Sequence, residues 1–445
     1  MDNDKLLSKL PAKNLAGILA FIVLAFGLSL IFYNLLSEQR AQIIVHADYA
    51  KLTDFVYYLE NVKEFWFGTE TRLYDPETTQ AIFTRLFGGD YPPAMLLHII
   101  PPALLIWFPL AVIGLSSTAW AYAIWLGVSY AALGLALLNL YAFVNQRVKT
   151  ASYILVIVFL SSFFSSVTVD NIGAGQTSVF MSAILILLLR RLQSLPSSQP
   201  SIDGWLILYG VLLGIKPQFL LFGVLILLLF SRQKETLWVI ALTGCICLIL
   251  TPRLGWLWPL EYLRTIGKHS TTQLPGFFSD TIILDIMSNF RGTFYRYIGA
   301  NAATAVSTFV FIGSIVTVFA IGVYHTIRFS VKTSPEWADH TKWVWCIVML
   351  ESYLLFSPHL YTYEDLLAMP LIAIVFLNAP TKLRGTFWTL LVCVLFFVHL
   401  QSKLFIVNQL HLLYWLLKLS FGICTVISIW PRSAKSLQHI TNHNP

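Results

Sequence analysis

Carboxylates crowd one stretch of this chain. Nine of its 22 acidic residues fall within residues 38–90, inside a polar island between the first two apolar runs. A carboxylate there can accept a proton or a hydrogen bond, and Asp54 is the one that opens a helical pattern. After Thr53 and Asp54, apolar residues recur at Phe55, Tyr58, Leu59, Val62 and Trp66, with Glu60, Lys63 and Glu64 opposite. That is the spacing of an amphipathic helix, placed here on the outer membrane surface. Thr53 or Asp54 can serve such a helix as a cap that complements its dipole. The same carboxylate can equally face a substrate.

Four other clusters carry polar groups at the edges of apolar runs. GAGQTSVF holds Gln176, which can cap a helix after a Gly turn or contact a substrate. GIKPQF holds Lys216, which can snorkel to the interface. Its Pro217 also marks a helix start, where backbone N–H groups bind anions. SPHLYTYEDLL brings His359, Tyr361, Glu364 and Asp365, and DIMSNFRG brings Asn289 and Arg291. His359 and Arg291 read as loop residues that can donate to phosphate. Glu351 lies inside an apolar run, where an acid faces a cavity or pairs with a base; the sequence names no partner for it.

The elements that must position these groups are membrane spans. The chain is 57% hydrophobic and 11% charged, with mean hydropathy +0.71, far from the roughly 25% charged of soluble domains. Candidate spans cover 15–36, 94–114, 117–144, 150–168, 176–190, 204–215, 217–231, 236–251, 302–329, 341–358, 364–378, 385–401 and 408–430. Several are short, as expected for broken helices around a cavity. The whole chain, residues 1–445, thus reads as one all-α polytopic membrane domain. Basic clusters, among them Arg190/Arg191, Arg232/Lys234 and Arg328/Lys332/Lys342, set the cytoplasmic side. Loops 37–93 and 252–301 then fall outside, and both termini inside. Thirteen crossings cannot satisfy this, and the conflict sits in residues 94–150, so about twelve crossings are expected. The net charge of +7 follows from orientation and points to no nucleic acid. Cys245, Cys247, Cys346, Cys393 and Cys424 lie in apolar runs and form neither a disulfide framework nor a metal site.

The pieces TDFVYY, FGTETRLYDP, DYPPAMLLHIIPP, GAGQTSVF, GVLLGIKPQFLLF, MSNFRG and SPHLYTYEDLLAMPL occur in the order of glycosyltransferase family 87, and between them cover residues 53–371. The chain resembles that family, the polyprenyl-phosphate-sugar-dependent transferases of the GT-C superfamily. The resemblance implies a GT-C-type helical bundle and an inverting transfer of one sugar, mannose in the family's better-known members. It also implies a catalytic base in the first external loop, a place that Asp54 fits; Asp48 lacks the following aromatic pair. The late Ser-Pro motif departs from the pattern: His359 directly follows Pro358, and Tyr-Glu-Asp stands where the family's mannosyltransferases carry their His. That departure bears on the sugar and the donor contacts.

On this reading Asp54 deprotonates an acceptor hydroxyl while Lys216, Arg291 and His359 stabilise the departing phosphate and Gln176 and Asp365 hold sugar hydroxyls. The substrates expected are a polyprenyl-phosphate-linked sugar and a glycolipid, glycan or protein acceptor. Protein cations can serve the phosphate, so no obligatory metal or cofactor is expected. The location implied is a bacterial inner membrane with the site on its external face. Two other readings are a lipid-linked substrate transporter or flippase and a lipid-linked glycan polymerase or ligase.

Overall fold

The computed structural model describes residues 54–69, 71–75, 77–78, 81–82, 100–147, 171, 175–195, 201–271, 289–328, 335–357, 367–378 and 408–429. Asp48, His359, Tyr361, Glu364 and Asp365, and the apolar runs 15–36, 150–168 and 385–401, lie outside the described residues. All regular elements among the described residues are helical.

Four consecutive helices define the direction of the bundle: α5 (Ser178–Ser194), α6 (Gly204–Leu212), α7 (Pro217–Leu229) and α8 (Gln233–Leu254). Their links at one end are ionic. Arg191 pairs with Asp203 at 2.5 Å, the Asp203 N–H donates to Glu235 at 3.2 Å, and Arg232 lies 3.9 Å from Glu235. Asp203 also caps α6, accepting from the N–H groups of Trp205 and Leu206. Arg190 stacks on Phe143, near the end of α4 (Thr118–Arg147), with 4.2 Å to the ring centre. Lys342, on α12 (Pro335–Phe356), sits 5.8 Å from the Phe230 ring centre. Basic residues grouped by the sequence reading therefore share one end. With about 1.5 Å of rise per residue, the start of α5, the α6–α7 turn and the end of α8 stand at the opposite end.

Helix α1 (Asp54–Phe67) lies across that opposite end. Its start touches the turn before α5, and near its other end Arg253 of α8 donates to the carbonyls of Phe65 and Gly68. The helix matches the sequence reading; what it rests on differs. Phe55, Leu59, Val62 and Phe65 are fully buried against α3 (Phe108–Ser116) and α4, so the apolar stripe packs on protein rather than membrane. Each such side chain contributes about 1.5–3 kcal/mol, enough to hold a 14-residue helix that would be marginal alone.

The run 94–114 is not one continuous helix. Helices α2 (Pro101–Ile106) and α3 break at Trp107, because Pro109 has no N–H for the carbonyl four residues back. The pieces are only about 9 and 14 Å long, too short to cross about 30 Å of hydrocarbon alone. Both ends of α2 touch the α1 end of the bundle: Pro102 lies against Gly214 and Trp107 against Trp125. Residues 100–117 thus stay at that end, which is where the crossing count failed to close.

The remaining described helices are α9 (Trp258–Thr271), α10 (Phe290–Ile298), α11 (Ala300–Arg328), α13 (Ala368–Asn378) and α14 (Asn408–Ile429). Among the described residues, three stretches are long and apolar enough to cross a membrane, Trp120–Gln146, Gln233–Leu254 and Ala300–Ile321. The latter two turn apolar faces outward, with Ile249 75% and Phe309 81% exposed, the surface of a helical membrane protein. Glu351 on α12 meets α14, where its carboxyl carbon would lie 2.6 Å from a Cβ on Gly422. Lys418, fully buried one turn earlier on α14, acts on Glu351 electrostatically, while neither carboxyl oxygen of Glu351 has a hydrogen-bond partner.

Replacing Asp203 with Ala removes the α6 cap and strips Arg191 of its carboxylate. Thermal unfolding of the purified protein should show a loss of at least about 1–2 kcal/mol, with Asp203→Asn less damaging; an unchanged melting curve for Asp203→Ala would contradict this role of the ionic end.

Candidate active site

The site is organised by a glycine. Gly175 adopts φ +62°, a left-handed conformation, and a Cβ there would sit 2.5 Å from the Phe55 Cβ and 2.6 Å from Tyr122 Cε2. Only glycine meets both demands without strain. The turn is pinned by two hydrogen bonds: Trp125 Nε1 donates to the Gly175 carbonyl at 3.1 Å, and the Gln176 N–H donates to the Asn171 carbonyl at 3.1 Å. Around it Phe55 packs on Tyr122 and Trp107, with centroids 5.0 and 5.5 Å apart, and Trp107 packs on Trp125 at 4.9 Å. The residue before Phe55 is Asp54 and the residue after Gly175 is Gln176. The contact therefore brings the starts of α1 and α5 together.

Gln176 is 1% exposed, and neither end of its amide has a hydrogen-bond partner. The next two residues repeat the pattern: the hydroxyls of Thr177 and Ser178 are buried and unpartnered. The indole N–H of Trp107 is unpartnered too. Leaving such groups unsatisfied costs about 1–3 kcal/mol each, and four of them lie together around Gly175. The sequence reading singled out Gln176 and missed Thr177, Ser178 and Trp107. The available signal was two adjacent hydroxyls at the head of a long apolar run.

Lys216 is 5% exposed, so it is enclosed by protein rather than extended outward. It precedes α7 in an extended conformation, with Pro217 as the first helical residue, and its carbonyl accepts from the N–H groups of Phe219 and Leu220. Beside it, Gln218 Nε2 lies 3.5 Å from the Tyr353 hydroxyl, and the rings of Phe219 and Phe222 pack on Tyr353. One turn beyond Tyr353, the Ser357 carbonyl accepts from Asn289 Nδ2. Asn289 is buried, caps α10 by accepting from the Gly292 N–H at 2.9 Å, and so sets Arg291 in the first turn. Asn289 therefore meets Ser357, one turn from Tyr353 and its contacts with the first turn of α7. Pro102 against Gly214, and α5 packed on the turn Leu213–Ile215, connect this half of the site to Gln176. Among the described residues, no group of three or more His, Cys, Asp or Glu could hold a metal ion.

The two long loops join at one cluster of rings. Tyr74 of the acidic loop packs on Trp258 and Tyr262 of α9, with centroids 5.5 and 5.4 Å apart. Burial raises the pKa of both phenols, and for Tyr74 the neighbouring Tyr262 adds to the effect. Both stay neutral and act as packing groups.

Residues 90–358 match Glycosyltransferase family 87. The chain belongs to that family. It is therefore a glycosyltransferase, and the matched region contains Gln176, Lys216 and Arg291. Asp48, Asp54, His359 and Asp365 lie outside the matched residues. No curated protein and no solved structure matches this family 87 chain.

The Phe55–Gly175 contact yields a sharp expectation. Gly175→Ala forces a strained backbone and pushes α1 from the start of α5; sugar transfer should fall by at least about tenfold, as small misplacements at reacting centres do. Transfer at the parent rate by a folded Gly175→Ala protein would show that the contact does not position the site.

Proposed function

We propose that this protein moves a single sugar, mannose by family likeness, from a polyprenyl phosphate to an acceptor hydroxyl on a glycolipid, glycan or protein. The observation that supports the reading is the Phe55–Gly175 contact, which joins the start of α1, opened by Asp54, to the turn that carries Gln176. In the proposed step the Asp54 carboxylate takes the proton of the acceptor hydroxyl. The acceptor oxygen forms a bond to the anomeric carbon, and the bond from that carbon to the phosphate oxygen breaks. Its electron pair leaves with the polyprenyl phosphate, and the configuration inverts. One base suffices for a single displacement, unlike the carboxylate pair of a glycosidase.

The departing phosphate gathers charge, and Lys216, Arg291 and His359 are the cations assigned to it. The buried position of Lys216 supports this, because a cation acts more strongly away from water. Gln176 and Asp365 are assigned to sugar hydroxyls. The chemistry needs no metal, since these cations neutralise the leaving group. The site faces outward from a bacterial inner membrane, with about twelve crossings and both termini cytoplasmic. The shared end of the basic residues and the non-crossing stretch 100–117 support that orientation.

Sugar transfer from synthetic polyprenyl-phosphate mannose, by full-length protein in lipid nanodiscs, tests the roles together. Asp54→Asn should lose about 10²–10⁴ in turnover, the usual contribution of a general base, while Asp48→Asn stays near the parent. Lys216→Ala should weaken use of the donor. Near-normal turnover by folded Asp54→Asn ends the assignment of the base, and an unchanged donor dependence in Lys216→Ala ends that of the cation.

A further inference from the structure

Hydroxyl side chains along the long helices mostly satisfy themselves. Thr236, Thr251, Ser314, Thr317 and Thr425 each donate to the carbonyl four residues earlier, at 2.7–2.8 Å. Thr177 and Ser178 stand where α5 begins, so no preceding turn of α5 offers them a carbonyl. Both are fully buried, and both hydroxyls lack a partner. The first N–H to bond back along α5 is that of Met181, to the Thr177 carbonyl at 2.9 Å. The N–H groups of Ser178, Val179 and Phe180 precede it and have no partner within the helix. With the Gln176 amide, this start of a 17-residue helix gathers donors and one strong acceptor in a place closed to solvent. Trp125 flanks it, bonded to Gly175 and packed on Phe180 at 5.5 Å.

We propose that the start of α5 is the subsite for the transferred sugar, with the hydroxyls of Thr177 and Ser178 and the Gln176 amide binding the hydroxyls of its ring. The assignment rests on Asp54 as base and Lys216 as phosphate partner. The start of α5 adjoins α1 through Gly175, and α5 packs on the turn leading to Lys216. The sugar of the donor has to occupy the space between base and phosphate. The chemistry of the niche agrees: its groups are neutral, and Gln176 and the two hydroxyls both donate and accept, as sugar hydroxyls do. The cations of α5, Arg190 and Arg191, sit at its far end. An aromatic wall beside neutral polar groups suits the apolar face of a pyranose better than a phosphate.

The test reads binding, so it does not depend on turnover. Full-length protein in nanodiscs is titrated with polyprenyl-phosphate mannose and, separately, with sugar-free polyprenyl phosphate, following tryptophan fluorescence. Thr177→Val combined with Ser178→Ala should weaken the sugar-bearing lipid about tenfold, as lost hydrogen bonds do, and leave the sugar-free lipid unchanged. Thr177→Ser should keep parental binding. Equal loss for both lipids makes the niche a phosphate or packing site and overturns the proposal, as does no loss for either, or a parent protein that binds both lipids alike. Should the double variant not fold, Thr177→Val alone is read by the same outcomes. A parallel transfer assay separates the two readings: a parent protein that selects the sugar-bearing lipid but transfers nothing contradicts the proposed function and leaves the subsite standing.

Discussion

One contact organises this molecule: Phe55 seated on Gly175. It exists because Gly175 carries no Cβ and adopts a left-handed backbone, which lets a helix that lies across the bundle touch the turn that starts its central helix. Around that contact gather the rings of Tyr122, Trp107 and Trp125, with Trp107 placed by the Pro109 break between α2 and α3. Helices α1, α5, α7 and α10 all begin at this end of the bundle. Helix N-termini carry partial positive charge that acts within about a turn, so the same end favours negative charge even before Lys216 and Arg291 are counted.

The two ends of the bundle are held by different physics. At one, Arg191, Asp203, Arg232 and Glu235 form a charged junction that fixes the ends of four helices. At the other, the packing around Gly175 is aromatic, and the side chains of Gln176, Thr177 and Ser178 are neutral and unpartnered. Buried polar groups left without partners destabilise a fold. Such strain persists at sites where a ligand completes the hydrogen bonds, a pattern in which stability is given up locally for recognition. The α12–α14 contact, with Glu351 and Lys418 enclosed beside Gly422, braces the helix that carries Tyr353 and Ser357 to the site.

Much of the frame was legible in the sequence, because long apolar periodicity and basic flanks are strong signals. The helix starting at Asp54 and the break at Lys216–Pro217 follow from residue types. Three things were not legible. Periodicity gives an apolar stripe but not its partner, so α1 read as a membrane-surface helix although Leu59 and Val62 bury against protein. Hydropathy over 94–114 is continuous, whereas Pro109 decides where the helix breaks. Local sequence cannot say which hydroxyls stay unpaired: Thr243 is unpartnered inside α8, whereas Thr236 and Thr251 of the same helix donate to the carbonyl four residues earlier, and Thr177 and Ser178 have no helical turn behind them. Asp48, His359 and Asp365 lie outside the described residues.

The most direct measurement is an experimental structure of full-length Asp54→Asn in lipid, with intact polyprenyl-phosphate mannose bound. The sugar ring is expected between the start of α1 and Gln176, with its phosphate toward Lys216. Well-ordered sugar at the Arg191–Asp203 end, or a ring out of reach of both residue 54 and Gln176, would contradict the site built on the Phe55–Gly175 contact.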